Sequence, residues 1–238
     1  MEAVPAEPGE AVLEIGPGKG ILTEHLLEKG FRLAVVELDD FYADYLVQRF
    51  GTRQNFSLIH GDFLRQSLQE ILPDAGHVVG NLPYGITSPV LFKLVSERKW
   101  VRSATLMMQL EVAERLVGVP RTKNYGILSV WTQTFAEVKL LFRVPASVFR
   151  PRPRVESAVV QLFWRQGEPN LKNDVYYLHL IKTAFQQRRK LLRNALRSLI
   201  SPEEQERLAF NFDRRAEEVT IQEWVKLSNS LSPNTNRF

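Results

Sequence analysis

The stretch AVLEIGPGKG, residues 11–20, decides how the first half of the chain is read. Its opening, AVLEI (11–15), is a short apolar run of the kind buried on both faces of a sheet. Gly16, Gly18 and Gly20 then alternate with Pro17 and Lys19. ILTEHLLEKG (21–30) follows with apolar residues at helical spacing and ends on Lys29–Gly30, a helix stop signal. A buried strand, a glycine turn and a helix in that order make the first βα unit of a mostly parallel sheet. Glycines let the backbone turn sharply and approach a ligand where a Cβ would collide. The spacing is GxGxG, not the GxGxxG of pyrophosphate-binding turns. Taken alone, such a triplet also marks an ordinary strand-to-helix turn.

Outward from this unit the alternation continues. RLAVVEL (32–38), FSLIH (56–60), HVVGN (77–81) and ATLMMQ (104–109) read as strands. FYADYLVQRF (41–50), PVLFKLV (89–95) and EVAERLV (111–117) read as helices. AEVKLLFRV (136–144) and ESAVVQLFW (156–164) are two last strands joined by a proline-rich connection. The expectation is an α/β, Rossmann-like domain over residues 1–166 with a mostly parallel seven-stranded sheet. GEPNLKND (167–174) reads as a linker, and 167–238 as a small all-helical domain. There, Ser201-Pro202-Glu203-Glu204 carries an N-cap, a first-turn proline and a capping-box glutamate. Thr220 and Glu223 repeat that spacing, and AFQQRRKLLRNALRSLI (184–200) reads as one amphipathic helix.

Composition excludes several classes. The chain has 238 residues, 44% apolar and 24% charged, which is ordinary globular usage. No cysteine is present, so a disulfide scaffold or thiolate zinc site is excluded. Four scattered histidines make no pair at metal-ligand spacing, and no metal is expected. No apolar run reaches the ~18 residues of a membrane span, and the opening MEAVPAEPGE has no apolar signal core. A cytoplasmic protein with no membrane partner is expected. Residues 143–197 hold 12 Lys/Arg against 3 Asp/Glu in a chain of formal net charge +4, so the remainder is acidic. A solvated basic surface explains that asymmetry; so does a polyanionic partner.

Three features beyond the glycines fall at strand ends on the same edge, where open α/β sheets bind ligands. Glu37 ends the second strand, 21 residues after Gly16, where an acid accepts hydrogen bonds from ribose hydroxyls. Asp62, in HGDF (60–63), is placed to accept from an adenine amine, with Phe63 as an apolar wall. Asn81-Leu-Pro-Tyr84 follows the HVVG strand. The Asn81 side-chain carbonyl and the Leu82 main-chain carbonyl suit the two hydrogens of an adenine amine. Pro83 stiffens the turn, and the Tyr84 ring offers a stacking surface for an unstacked base. Each acid, taken singly, is also an ordinary cap or surface charge, and N-x-P-Y is also an ordinary turn.

With these blocks assembled, the chain resembles the KsgA-type family of ribosomal RNA adenine dimethyltransferases. The likeness continues through EVAERL (111–116), NYGILSV (124–130), FRPRPRVESAVV (149–160), AFQQRRKLLRNAL (184–196) and RAEEVTIQEWVKLSN (215–229). It implies a class I methyltransferase domain that uses S-adenosylmethionine, releases S-adenosylhomocysteine and needs no metal. It implies dimethylation of two adjacent adenosines in the 3′-terminal hairpin of small-subunit (16S-type) rRNA, on a 30S-type assembly intermediate, by a monomer. By that likeness Glu14, Gly16, Gly18 and Gly20 approach the methionine part of the cofactor. Glu37 and Leu38 take the ribose side, Asp62 and Phe63 the adenine, and Asn81 borders both ligands. Asn81, Leu82, Pro83 and Tyr84 clamp the target amine, and Phe149 packs on the target base or, in a plainer reading, fills the core.

Two clusters are expected to meet RNA phosphates: Arg150, Arg152 and Arg154 beside Phe149, and Arg188, Arg189, Lys190, Arg193 and Arg197 on the 184–200 helix. Helical spacing would set Arg189, Arg193 and Arg197 along one face. The chain departs from the family at three points. It lacks an N-terminal segment with a GQNFL-like motif that closes over the cofactor, so a truncated chain with weakened cofactor binding is expected. Gly85 stands where asparagine usually follows NLPY, loosening the turn, and Leu110 where lysine is common. Two alternatives remain: a large-subunit rRNA adenine methyltransferase of the macrolide-resistance type, and a non-catalytic RNA-binding assembly or transcription factor on the same scaffold.

Overall fold

The computed structural model describes residues 3–150, 152–165, 167 and 169–231. Its strands are β1 (Ala11–Ile15), β2 (Arg32–Glu37), β3 (Phe56–His60), β4 (Gly76–Asn81), β5 (Val101–Gln109), β6 (Ala136–Val144) and β7 (Ser157–Trp164). They form one seven-stranded sheet in the order β3-β2-β1-β4-β5-β7-β6. Pairings from β3 to β5 are parallel, and β7 runs antiparallel to β5. This is the Rossmann-like architecture expected from the seven strands.

The helices of the first half are α1 (Ile21–Glu28), α2 (Asp40–Phe50), α3 (Leu68–Ile71), α4 (Thr87–Ser96), α5 (Leu110–Leu116) and α6 (Ile127–Phe135). The second half holds α7 (Asp174–Gln186), α8 (Leu192–Ala195), α9 (Pro202–Arg207) and α10 (Ile221–Leu231). β1 lies between β2 and β4, so the strand order reverses there, and the loops after β1 and β4 emerge side by side. Val12, Leu33, Val35, Leu26, Leu46 and Phe50 are buried together, joining β1 and β2 to α1 and α2. α2 is capped by Asp39, whose carboxylate accepts the Tyr42 N–H.

The chain divides into two compact units, residues 1–113 with 137–164, and 114–136 with 165–238. The single cut expected between residues 166 and 167 differs from this division over 114–136, and Gln166 and 232–238 lie outside the described residues. The reason is α6, which the strand-and-helix reading passed over. Six of its nine residues are buried, the apolar Val130, Trp131 and Phe135 and the polar Ser129, Thr132 and Thr134, so most of its surface has to be covered by neighbouring elements. Within this unit Trp131 meets Tyr177, and Phe185 meets Trp224, with ring centroids 6.2 and 6.1 Å apart. The Tyr125 hydroxyl donates to the Val219 carbonyl at 2.8 Å. Both capping boxes form: Ser201 with Glu204, and Thr220 with Glu223.

The expected continuous helix over 184–200 is overturned. α7 stops at Gln186, residues 187–190 turn, and Leu191 forms an antiparallel bridge with Arg215 before the four-residue α8. The Leu192 and Arg193 N–H groups donate to the carbonyls of Arg214 and Phe212. The 212–215 segment therefore takes donors that helix continuity would spend on carbonyls four residues back. Among the described residues no helix is long and apolar enough to cross a membrane.

Candidate active site

The glycine turn lies where β1 leaves the sheet. Gly16, Gly18 and Gly20 all have positive φ, at 63°, 54° and 72°, a region costly for other residues. Their surroundings separate their roles. A Cβ on Gly18 would meet nothing within 4 Å, whereas one on Gly20 would strike Leu46 and Phe50 at 2.8 Å. Gly18 faces open space; Gly20 lets α1 and α2 pack closely.

Opposite Gly16 stands the second loop. A Cβ on Gly16 would come within 4.0 Å of the Pro83 side chain. The two loops border one cavity of about 640 Å³, lined by Glu14, Gly16, Gly18, Asn81 and Phe149 among others. That volume falls within the ~300–1,000 Å³ typical of small-molecule sites. The gap between the glycine turn and Asn81 is open, as the expected meeting of two ligands there requires.

Acids flank the glycine turn. Glu37 is buried, and its carboxylate accepts N–H groups from Gly18 at 2.9 Å, Leu38 at 2.8 Å and Asp39 at 3.0 Å. The second strand end is thereby tied to the glycine turn. Glu14 accepts the Thr23 hydroxyl at 2.7 Å. Burial pushes its carboxyl up to about 7, Thr23 opposes that, and the nearby Glu37 charge adds to it. A buried acid on the cavity wall beside an open glycine backbone fits an S-adenosylmethionine-type ligand, whose amino-acid end carries an ammonium group and whose bulk needs close backbone approach.

Other expected cofactor residues are placed differently. Asp62 caps a short turn, accepting the Leu64 N–H at 2.9 Å. Phe63 is buried, with the Lys93 ammonium 5.8 Å from its ring centre, and Leu38 is exposed. None of these three, nor Glu37 or Gly20, lines the cavity.

In the second loop Asn81 ends β4 in register with Met107 of β5. The buried Leu82 extends that pairing by donating its N–H to the Met107 carbonyl at 3.0 Å. The Tyr84 hydroxyl lies 3.0 Å from the Ser157 hydroxyl, and Thr87 donates to the Pro83 carbonyl at 3.3 Å. These bonds brace the turn on both sides of Gly85. Gly85 lacks a positive φ, and a Cβ there would meet nothing within 4 Å, so backbone geometry does not demand glycine. Leu110 donates its N–H to the Glu156 carbonyl at 2.9 Å as α5 begins.

Comparison with known proteins decides the family. The model of the ribosomal RNA adenine dimethylase family matches residues 1–232. The chain belongs to the ribosomal RNA adenine dimethylase family. It is 38% identical to a ribosomal RNA small subunit methyltransferase A of Actinobacillus pleuropneumoniae, over 98% of this chain and 84% of that protein. A protein of the same name from Chlorobium phaeobacteroides is 41% identical, over 95% of this chain and 82% of that protein. Among solved structures, a dimethyladenosine transferase from Plasmodium falciparum matches with TM-score 0.79 and 25% identity, covering 95% of this chain and 91% of that one. The 23S rRNA methyltransferase ErmE matches with TM-score 0.71 and 27% identity, covering 98% and 95%. As a dimethylase fold, the chain has its glycine turn and NLPY turn side by side on the carboxyl edge.

The expected RNA-facing cations divide. Arg150, Arg152 and Arg154 are exposed. In the other unit Arg188 donates to Glu217 at 2.6 Å and to the carbonyls of Thr122 and Lys123, while Arg193 pairs with Asp213. Arg189, Lys190 and Arg197 are exposed, but with the helix broken Arg189, Arg193 and Arg197 share no helical face. The residue pattern missed Phe142, an exposed aromatic that also lines the cavity. Inside AEVKLLFRV it looks like one more apolar strand residue, and nothing in the spacing distinguishes it.

Proposed function

We propose that the protein transfers methyl groups from S-adenosylmethionine to the exocyclic amines of two adjacent adenosines in the 3′-terminal hairpin of small-subunit rRNA. It acts as a cytoplasmic monomer on a 30S-type assembly intermediate. One observation carries the reading: Gly16, Gly18 and Asn81 border a single open cavity, as donor and acceptor must share one site. Family membership and the two relatives at 38% and 41% identity favour the small-subunit substrate.

When bound, the donor supplies an electrophilic methyl group; the protein supplies position and electrostatics. Glu14 and the Gly16–Gly18 backbone hold the amino-acid end, while Glu37 and Leu38 address the ribose and Asp62 and Phe63 the adenine. The Asn81 side-chain carbonyl and the Leu82 main-chain carbonyl accept the two amine hydrogens of the target base. That leaves the amine lone pair directed at the cavity. Tyr84, steadied by Ser157, and Phe149 pack on the base, and the exposed arginines of both clusters meet phosphates.

The likeness to ErmE supports a second reading, methylation of large-subunit rRNA. Methyl incorporation into purified 30S and 50S precursors separates the two. Incorporation into 30S material alone is expected; incorporation into 50S material alone overturns the first reading.

A further inference from the structure

Phe142 sits near the end of β6 with 51% of its surface exposed, and it faces the cavity that Asn81 and Phe149 border. A lone exposed apolar side chain is ordinary. This one is not alone. Met107, Phe149 and Val159 line the same cavity, so Phe142 adds to an apolar part of its lining. Its own strand neighbours do not require it outside: β6 keeps Ala136 buried and Val138, Leu140 and Leu141 half-buried.

Resting on the adenine-methylation reading, we propose that Phe142 is a further substrate-contact residue, stacking on a nucleobase of the RNA beside Phe149. Three features select a nucleobase as the occupant. The ring is exposed at the cavity, so a planar apolar partner can cover it without displacing packed side chains. Arg150, Arg152 and Arg154 are exposed in the connection that follows β6, offering cations to a backbone whose bases reach the cavity. The acidic group suited to the cofactor's ammonium, Glu14, lies instead on the cavity wall beside the glycine turn. Phe149 and Phe142 together give room for the target base and for the base next to it, the pair a dimethylase of adjacent adenosines must handle in turn.

The test compares the full chain with Phe142→Ala, Phe142→Leu and Phe142→Trp. Each is measured for methyl transfer to small-subunit rRNA, for S-adenosylhomocysteine affinity, and for quenching of 2-aminopurine placed at either target position of a hairpin RNA. Losing one base stack should lower kcat/KM for RNA about ten-fold or more in both the alanine and leucine variants. Tryptophan should restore it, S-adenosylhomocysteine affinity should stay within about two-fold, and 2-aminopurine quenching should fall in step with kcat/KM. Leucine matching the parent means that the ring only fills space, and overturns the proposal while adenine methylation stands. A parallel loss of S-adenosylhomocysteine affinity places Phe142 on the cofactor and also overturns it. If the parent chain itself neither methylates nor quenches, the underlying reading and this proposal fall together.

Discussion

The surroundings of the glycine turn and those of the NLPY turn are built on opposite plans. On the glycine-turn side, polar groups are already occupied by the protein: Glu37 takes three backbone N–H groups, Glu14 takes Thr23, and Asp62 caps its own turn. On the other side, Phe142 and Tyr84 are 51% and 38% exposed, and the arginines after Phe149 face solvent. That side is braced by Leu82 with Met107, Tyr84 with Ser157 and Thr87 with Pro83. A small cofactor of fixed shape is best met by groups locked in advance, because ordering them afterwards costs binding energy. A large folded RNA brings its own shape, so exposed rings and cations suffice to receive it.

That contrast breaks most sharply at Asn81, which belongs to both sides. Asn81→Ala should slow single-turnover methyl transfer by about 100-fold or more, the scale of one lost oriented hydrogen-bond partner at a reacting group. RNA affinity, measured by filter binding, should change less than two-fold. Transfer within ten-fold of the parent would remove Asn81 from the chemistry.

Glu37→Ala tests the locked side next. Three N–H groups lose their acceptor, at roughly 1–3 kcal/mol for each that stays buried and unpaired. Urea denaturation should show a loss of about 2–4 kcal/mol, and S-adenosylhomocysteine affinity should fall at least ten-fold, while Glu37→Gln loses less of both. Equal behaviour of the two variants would mean the carboxylate does not organise the turn.

Glu14 sharpens the same side through pH. Its folded carboxyl titrates near 7 against 4.5 as a free group, so the folded state holds that proton where the unfolded state has released it. Stability from this group is present below about pH 4.5 and is lost as pH rises through about 7. Glu14→Gln keeps an acceptor for Thr23 and removes the titration. Its stability relative to the parent should rise between pH 5 and pH 8 by at most about 3 kcal/mol. A pH-independent difference would contradict the buried charge. The ammonium group of S-adenosylhomocysteine favours the ionised carboxylate, so affinity of the parent for that ligand should climb over the same interval.

The smallest effect belongs to the open side. Arg152→Glu should reduce the slope of log affinity against log salt by about one, with methyl transfer at saturating RNA unchanged. An unaltered slope would leave that arginine as solvated surface.

The local conformations of the four blocks were legible because each rests on neighbouring residues: a strand followed by positive-φ glycines, an acid closing a strand, a proline-stiffened turn after another. That Glu37, Asp62 and Phe63 do not line the cavity was not legible. Seven strands followed from apolar runs and their punctuation, and both capping boxes from residue spacing. What spacing could not convey was competition for backbone hydrogen bonds and for burial. AFQQRRKLLRNALRSLI has a helical pattern, yet Phe212 and Arg214 take the N–H groups of Arg193 and Leu192 and break it. Residues 114–136 read as part of the first domain, yet α6 clusters with the C-terminal helices, six of its nine residues being buried. Phe142 reads as core, yet its place at the cavity leaves it exposed. Local conformation and the order of chemical groups were set by neighbouring residues along the chain. Tertiary structure decided which donors found which acceptors and which apolar faces were covered, because both depend on partners distant in sequence.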